Sequence, residues 1–234
     1  MKTAARTIMQ YILFWIMFFL GSYIFKIRNR IKVTGKENLP RKGRVLFLSN
    51  HQTLIDSLLI GINVVSKKDL LFCQKKIPWN APDRKNFFSH KFAKFFFGLL
   101  KNIPTDRDKR SLTDIENQIH SYCHVLKKNN LLLFFTGTRT RDGSIGKCKK
   151  GVAMTILEAK PDYIIPITLI GISDIMPVSV GFNYRKISSG HRGQMIIGEP
   201  LDFSGILSSN LFSERTKISL ICELVEKSVQ KNYS

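Results

Sequence analysis

Apolar residues along the chain fall into two patterns that differ in period. Short, nearly continuous apolar runs are typical of strands that are buried on both faces of a sheet. Such runs predict strands at 44–49, 70–74, 131–135, 163–172, 178–184 and 194–197. Between them, apolar residues at helical spacing predict amphipathic helices, one with Leu112, Ile115, Ile119, Tyr122 and Leu126 and one with Ile218, Ile221, Cys222, Val225 and Val229.

Strands that alternate with helices indicate an α/β layered fold. We therefore predict a mainly parallel sheet flanked by helices, preceded by an N-terminal hydrophobic membrane helix. The 234 residues contain no internal repeat and no linker long enough to separate two domains. We assign residues 1–30 to an N-terminal membrane anchor and residues 31–234 to one domain that carries the chemistry.

The anchor is predicted from residues 8–25, an uncharged run interrupted only by Gln10 and Ser22. The run is long enough to be a membrane helix. A cleaved signal peptide is the alternative, but the run is longer than a usual signal core and leads into FKIRNRIK, not into a small-residue cleavage site. Four basic residues follow the run and two precede it, which places the following domain on the cytoplasmic face of the membrane. A re-entrant or interfacial helix fits the same bias.

A second membrane signal lies in residues 86–101, where six phenylalanines fall within eleven positions and no acid occurs. A helix here has an apolar face with Phe88, Phe92, Phe95, Phe96 and Leu99 and a basic face with Lys91, Lys94 and Lys101. This pattern is typical of a helix that lies in the headgroup layer of an anionic membrane. A helix that packs its apolar stripe on the sheet is equally consistent with it.

The overall charge points to an anionic partner. The chain has 37 Lys and Arg against 17 Asp and Glu, a formal net charge of +20. Nucleic acid, anionic lipid and acidic small molecules all remain open on charge alone. The four cysteines lie far apart, without a Cys-x-x-Cys pair or a His at ligand spacing, so the sequence predicts neither a zinc site nor a disulfide framework.

Candidate chemistry begins at His51 and Asp56, directly after the predicted strand 44–49. The carboxyl end of a strand is where open α/β sheets place their sites. Within one helix a spacing of five would turn the two side chains apart, so they converge only if His51 precedes the helix. Thr53 and Asp56 form a capping-box pattern that would start the helix at Thr53 and leave His51 in the turn before it. An Asp56 that only caps the helix is the alternative.

The segment Asn50-His51-Gln52-Thr53-Leu54-Ile55-Asp56 resembles the NHx(4)D signature of the 1-acylglycerol-3-phosphate acyltransferase family. Three further blocks resemble those of the family in order and approximate spacing. They are 103–107 (IPTDR), 137–140 (GTRT, continuing with RDG and KKG) and 164–167 (IIPI). The resemblance covers roughly residues 30–200, and the ordered set is more specific than any single block.

The resemblance implies the roles of the site residues. His51 is the general base and Asp56 orients it, while Arg107, Thr136, Gly137, Thr138 and Arg139 bind the substrate. Arg139 would hold a phosphate through its planar fork of donors. For Arg107, an ion pair with a neighbouring aspartate is the alternative. Lysines 147, 149 and 150 would deepen the positive potential, or simply be solvated.

One position departs from the family pattern. The family has Phe-Pro-Glu before Gly-Thr-Arg, whereas this chain has Phe134-Phe135-Thr136. The change removes a carboxylate that would offset the charge of Arg139, and Thr136 adds a hydroxyl donor that would reach a phosphate oxygen. We therefore expect the site to depend strongly on the charge of the acceptor.

The resemblance implies acyl transfer from acyl-CoA or acyl carrier protein to a lysophospholipid, most simply lysophosphatidate, at an anionic membrane surface. It implies no cofactor and no metal. A member with another lysolipid acceptor and an inactive member that only binds anionic lipid are the alternatives. A nucleic-acid-binding domain is disfavoured because the sequence has no RNA-recognition signature and no zinc-finger spacing. His120 and His124 lie four apart but lack an acidic or cysteine ligand nearby in sequence, so surface positions are expected.

Overall fold

The apolar runs form a five-stranded sheet around β2. A computed structural model describes residues 2–88, 90–106, 111–140, 144–176, 187 and 189–233. Its strands are β1 (Lys32–Thr34), β2 (Val45–Ser49), β3 (Leu131–Phe134), β4 (Tyr163–Ile170) and β5 (Gln194–Ile197). They lie in the order β1-β5-β4-β2-β3. The pairings β1–β5, β4–β2 and β2–β3 are parallel and β4–β5 is antiparallel, which confirms the predicted α/β fold with a mainly parallel sheet.

Helices cover both faces of this sheet. They are α1 (Lys2–Ser22), α2 (Asp56–Val64), α3 (Lys67–Phe72), α4 (Arg84–Phe87), α5 (Lys91–Leu99), α6 (Leu112–Leu126), α7 (Lys150–Ala159), α8 (Ser204–Ser208) and α9 (Glu214–Gln230). A π-helical turn (Tyr23–Arg28) follows α1, and short 3₁₀ turns cover Lys36–Asn38 and Gln74–Lys76.

The side chains of β2 divide between two apolar cores because successive residues of a strand point to opposite faces. Val45 and Phe47 join a core with residues of α1 and α2. Leu46 and Leu48 join a core on the other face with residues of α6, α7 and α9. β2 is buried along its whole length, and its carboxyl end leads into the turn that carries His51.

The predicted helices at 112–126 and 218–229 are confirmed by α6 and α9. The predicted strand at 70–74 is wrong, since α3 and a 3₁₀ turn occupy this region. The Ser66 hydroxyl accepts from the Asp69 backbone nitrogen at 3.0 Å and starts a helix that a five-residue apolar run does not reveal. β1 was not predicted, because KVT carries no run of apolar residues. The strand predicted at 178–184 lies outside the described residues.

The N-terminal helix is packed on the domain along one side. Phe14 and Phe18 are buried in the same core as β2 and α2. The Gln10 side chain donates to the Leu99 carbonyl of α5 at 2.9 Å. On the opposite side an apolar stripe is exposed at Ile8, Ile12, Ile16, Phe19, Leu20, Tyr23 and Ile27. The stretch Ala4–Arg28 is long and apolar enough to cross a membrane, by length and composition only.

The Phe-rich segment is helical only at Arg84–Phe87 and Lys91–Leu99, so the single helix predicted over 86–101 is wrong in its bounds and Phe88 lies outside α5. Phe92 and Phe95 are exposed, at 80% and 53%, whereas Phe96 is half-buried, and both Phe92 and Phe96 line a cavity. Lys101 is not on the exposed basic face, because α5 ends at Leu99 and Lys101 turns inward with a left-handed φ of 56°. It is only 6% exposed, and its ammonium donates to the Ile77 carbonyl at 3.3 Å. Burial lowers the pKa of Lys101 to about 8.

Candidate active site

His51 and Asp56 meet at the carboxyl end of β2. His51 lies in the turn that follows the strand, and α2 begins at Asp56, three residues later than the capping pattern predicts. His51 Nδ1 is 2.9 Å from Asp56 Oδ2. The helix start therefore falls between the two residues, and the predicted convergence is found. The His51 side chain is 10% exposed and the Asp56 side chain is fully buried.

The Asp56 carboxylate is held by the turn that it follows. Its Oδ2 atom accepts from the backbone nitrogens of Gln52, at 2.6 Å, and Thr53, at 2.8 Å. Its Oδ1 atom accepts from the Thr53 hydroxyl at 2.6 Å. These donors compensate a negative charge that burial would otherwise penalise. One carboxylate thus both closes the turn before α2 and fixes the imidazole.

Neighbouring side chains fix the imidazole ring and its turn. The ring stacks on Phe134, the last residue of β3, with centroids 3.8 Å apart and planes at 10°. Asn50 is paired with Leu169 of β4 through both its amide nitrogen (2.8 Å) and its amide oxygen (2.8 Å). The Nδ1 bond to Asp56 leaves Nε2 as the ring nitrogen that can accept a substrate proton.

Gln52 connects the same turn to the loop after β4 and to the end of the chain. Its side-chain oxygen accepts from the backbone nitrogens of Ile172, at 2.8 Å, and Ser173, at 3.2 Å. Its side-chain nitrogen donates to the Tyr233 hydroxyl at 3.1 Å. The residue is fully buried. These contacts join three distant segments and have no short-range signal in the sequence.

The predicted substrate-binding turn at 136–140 lies beside His51. The Thr140 backbone nitrogen donates to the His51 carbonyl at 3.0 Å, so the two turns are directly connected. Gly137 adopts a φ of 73°, a conformation that favours glycine. Thr136 is buried, and its hydroxyl donates to the Thr138 carbonyl at 2.7 Å. Thr138 is exposed at the surface of the turn.

Arg139 and His51 line the same cavity, which has a volume of about 570 Å³. Its wall is mainly apolar and comes from α1, α2 and α5, including Phe14, Leu58, Ile62, Phe96 and Phe97. A base and a guanidinium at the edge of an apolar cavity match a ligand with a reactive oxygen, an anionic group and a hydrocarbon chain.

The second predicted block reaches this cavity through 80–83. The Ile103 backbone nitrogen donates to the Asn80 carbonyl at 2.7 Å, and Asn80 lines the cavity. The Asp106 carboxylate accepts from Arg84 Nε at 2.8 Å. Arg107 lies outside the described residues, so its role stays a prediction. Within the described part of the chain, no three His, Cys, Asp or Glu side chains are grouped to hold a metal ion.

Comparison with known proteins gives a consistent set of similarities. A sequence model of the family described as Acyltransferase matches residues 30–170. The chloroplastic 1-acyl-sn-glycerol-3-phosphate acyltransferase of Arabidopsis thaliana is 31% identical over 156 residues, which are 63% of this chain and 38% of the relative. The mitochondrial glycerol-3-phosphate acyltransferase 1 of Homo sapiens is 27% identical over 179 residues, 73% of this chain and 19% of the relative. The chain thus spans well under half the length of these two relatives.

A bacterial relative is matched over most of its length. The 1-acyl-sn-glycerol-3-phosphate acyltransferase of Bacillus subtilis is 24% identical over 198 residues, 83% of this chain and 86% of the relative. The crystal structure of the 1-acyl-sn-glycerophosphate acyltransferase of Thermotoga maritima superposes with a TM-score of 0.65 at 18% identity. It covers 100% of this chain and 83% of the other. This likeness confirms the fold.

Proposed function

The chain belongs to the acyltransferase family, and from this premise we propose that it transfers a fatty acyl group from an acyl thioester to the hydroxyl of a lysophospholipid. The proposed acceptor is 1-acylglycerol-3-phosphate, and the product is phosphatidic acid. One observation carries the proposal: a hydrogen-bonded His51–Asp56 pair and Arg139 line one apolar cavity. The domain at 31–234 would carry this activity, with residues 1–30 as its membrane anchor.

The proposed step needs one base and no enzyme nucleophile. Nε2 of His51 accepts the proton of the acceptor hydroxyl while the oxygen attacks the thioester carbonyl carbon. The carbon–sulfur bond then breaks, and the imidazolium returns the proton to the leaving thiolate. Asp56 holds the ring through Nδ1 and stabilises the imidazolium charge, as the orienting acid of a catalytic triad does.

Arg139 is the proposed phosphate contact of the acceptor. It lies on the cavity that His51 lines, and its turn is hydrogen-bonded to the His51 backbone. A guanidinium matches a phosphate with two parallel hydrogen bonds. Gly137 and Thr138 would bring the backbone of the same turn close to the phosphate, with Arg107 as a second predicted cationic contact. Thr136 would support the turn from within, because its hydroxyl donates to Thr138.

The apolar part of the cavity is proposed to hold the hydrocarbon chain of a substrate. Residues of α1, α2 and α5 form it, so the N-terminal helix would be part of the substrate site as well as an anchor. We propose that a lipid-contact surface, formed by the exposed stripe Ile8, Ile12, Ile16, Phe19, Leu20, Tyr23 and Ile27 with Phe92 and Phe95, rests in the cytoplasmic face of a membrane. Exposed Lys26, Arg30, Lys91 and Lys94 would contact anionic headgroups.

The function is tested with purified protein in anionic lipid vesicles. Lysophosphatidate is supplied with acyl-CoA or with acyl carrier protein, and phosphatidic acid is measured by mass spectrometry. We expect acyl transfer with at least one donor and its loss in His51→Ala. Glycerol-3-phosphate and lysophosphatidylethanolamine serve as competing acceptors, because the human relative is a glycerol-3-phosphate acyltransferase. Vesicle binding without acylation of any acceptor would identify an inactive lipid-binding member instead.

A further inference from the structure

Residues 231–233 follow α9 and form a turn that is attached to β4. Asn232 Nδ2 donates to Thr168 Oγ1 at 3.2 Å, and the Thr168 hydroxyl donates to the Val229 carbonyl at 3.4 Å. Thr168 is fully buried in β4, one position beyond the partner of Ser49, which is the last residue of β2. The turn after α9 therefore lies at the edge of the sheet that carries the candidate site.

Tyr233 extends from this turn to the side chain of Gln52. Gln52 Nε2 donates to the Tyr233 hydroxyl oxygen at 3.1 Å. The other end of the same amide, Oε1, accepts from the backbone nitrogens of Ile172 and Ser173 at 2.8 Å and 3.2 Å. Two N–H donors fix which end of the amide is the oxygen, so the nitrogen must face Tyr233. Because Gln52 is fully buried, loss of an acceptor for this nitrogen carries a free-energy cost.

The backbone of Gln52 connects this contact to the His51–Asp56 pair. Its nitrogen donates to Asp56 Oδ2 at 2.6 Å, and the same oxygen lies 2.9 Å from His51 Nδ1. The carbonyl of the same peptide unit belongs to His51 and accepts from the Thr140 backbone nitrogen at 3.0 Å. A peptide unit is planar, so its carbonyl and its N–H rotate together. Holding the Gln52 side chain therefore limits the rotation of one plane that contacts both Asp56 and the turn that carries Arg139.

We propose that Tyr233 is a positioning residue for acyl transfer. Its hydroxyl holds the Gln52 amide, which limits rotation of the peptide between residues 51 and 52 and keeps Asp56 Oδ2 aligned with the His51 ring. Neither Gln52 nor Tyr233 is among the described residues that line the cavity, so the effect passes through the His51–Asp56 pair and not through contact with substrate. The effect on turnover rests on the proposed function, whereas the alignment of the ring does not.

The alternative is that Tyr233 only fastens the turn after α9 to the domain. Asn232 already does this through its bond to β4. The two roles differ in what loss of the Tyr233 hydroxyl changes. A fastening role changes the free energy of unfolding and leaves the folded enzyme as active as before. A positioning role changes the environment of the His51 ring and lowers kcat in protein that remains folded.

The first test observes the His51 ring without turnover. Full-length protein with isotope-labelled histidine is examined by NMR in detergent micelles, and His51→Ala identifies the Nδ1 proton signal of His51. Tyr233→Phe should shift or broaden this signal, because the ring and the carboxylate are less well aligned. Tyr163→Phe removes another tyrosine hydroxyl at the opposite end of β4 and should leave the signal unchanged. An unchanged signal in Tyr233→Phe would overturn the proposal.

The second test measures kcat and KM in anionic vesicles. Tyr233→Phe removes one hydrogen bond between neutral groups, so kcat should fall about three- to tenfold, while the KM values of donor and acceptor stay within about twofold of the parent's. Tyr163→Phe should match the parent. A parent-like kcat in Tyr233→Phe, or a fall that only follows the unfolded fraction measured by urea unfolding, would overturn the positioning role.

A double-variant cycle tests the route through Gln52. Gln52→Met removes the amide that Tyr233 holds, so Tyr233→Phe should cause no further loss of kcat in this background. A full additional loss would show that Tyr233 acts by another route and would overturn the proposal. If the parent transfers no acyl group, the NMR signal still tests the alignment of His51, so failure of the proposed function is distinguishable from failure of this inference.

Discussion

The His51–Asp56 pair predicts an outcome that separates an orienting carboxylate from a simple helix cap. In Asp56→Asn, the backbone nitrogens of Gln52 and Thr53 can still only donate, so the amide oxygen must take the position of Oδ2. The amide nitrogen then faces the Thr53 hydroxyl, which can accept. The two backbone hydrogen bonds and the Nδ1 hydrogen bond are kept, the Thr53 hydroxyl changes from donor to acceptor, and the negative charge is lost.

The magnitudes follow from this geometry. A hydrogen bond to a charged group contributes about 1.5–3 kcal/mol, so Asp56→Asn should lower kcat by roughly 10- to 10²-fold. His51→Ala removes the base and should lower kcat by roughly 10² to 10⁴. The double variant should be no slower than His51→Ala, because Asp56 acts only through the imidazole.

The free energies of unfolding of Asp56→Asn and Asp56→Ala provide a control for loss of structure. Asp56→Asn keeps the contacts of the turn and should change the free energy of unfolding by less than about 1 kcal/mol. Asp56→Ala leaves two buried backbone donors without their acceptor and should cost about 2 kcal/mol or more. Urea unfolding in detergent micelles measures both changes, and release of free thiol from the acyl donor measures kcat in the same samples.

Two results would refute the assignment. A near-normal kcat in Asp56→Asn would show that Asp56 is only a cap. A further large loss when Asp56→Asn is added to His51→Ala would show that the carboxylate acts on the substrate and not through the imidazole.

Four other changes test the binding surfaces and a buried charge. Arg139→Ala should raise the acceptor KM strongly and reduce the preference for lysophosphatidate over lysophosphatidylethanolamine in direct competition; an unchanged KM would remove Arg139 from the phosphate site. Phe92→Ser/Phe95→Ser should weaken binding to anionic vesicles, measured by flotation, and removal of residues 1–25 should release much of the protein and leave a salt-sensitive remainder; complete release at low salt would end the proposed role of α5. The stability of Lys101→Met relative to the parent should be about 3 kcal/mol greater below pH 8 than above pH 10.5, because burial lowers the folded-state pKa of Lys101 from 10.5 to about 8. This gain should shrink between pH 8 and 10.5, where the folded protein has already released the proton that the unfolded chain still binds, and a gain independent of pH would contradict the assignment.

The sequence was sufficient to predict the features that depend on local patterns. β2 follows from a continuous apolar run, and the meeting of His51 with Asp56 follows from a helix boundary between them. The capping pattern predicts this boundary three residues too early. The capping pattern does indicate a reciprocal contact between Thr53 and Asp56, but the Thr53 hydroxyl donates to the carboxylate and accepts from Ile55 instead of starting the helix.

Long-range contacts in the site could not be predicted. Phe134 stacks on His51, and Gln52 joins the loop after β4, because parallel strands bring their carboxyl ends to one edge of the sheet. The inward turn of Lys101 depends on where α5 ends, which helical periodicity does not fix. The presence of a site at this edge was therefore predictable, whereas the side chains that support it were not.

The geometry of Thr136 changes the reason for expecting acceptor binding to depend on the charge of the acceptor. The sequence alone predicts that the Thr136 hydroxyl reaches the phosphate. In the structure this hydroxyl donates to the Thr138 carbonyl inside the turn instead. Thr136 is buried against Gly146, so a larger acidic side chain would have to displace the segment that follows the turn. Thr in place of the family's Glu therefore matters because it removes a carboxylate at 136. That carboxylate would offset the charge of Arg139 and repel a phosphate. A phosphomonoester carries more negative charge than a zwitterionic headgroup, so it gains most from this difference.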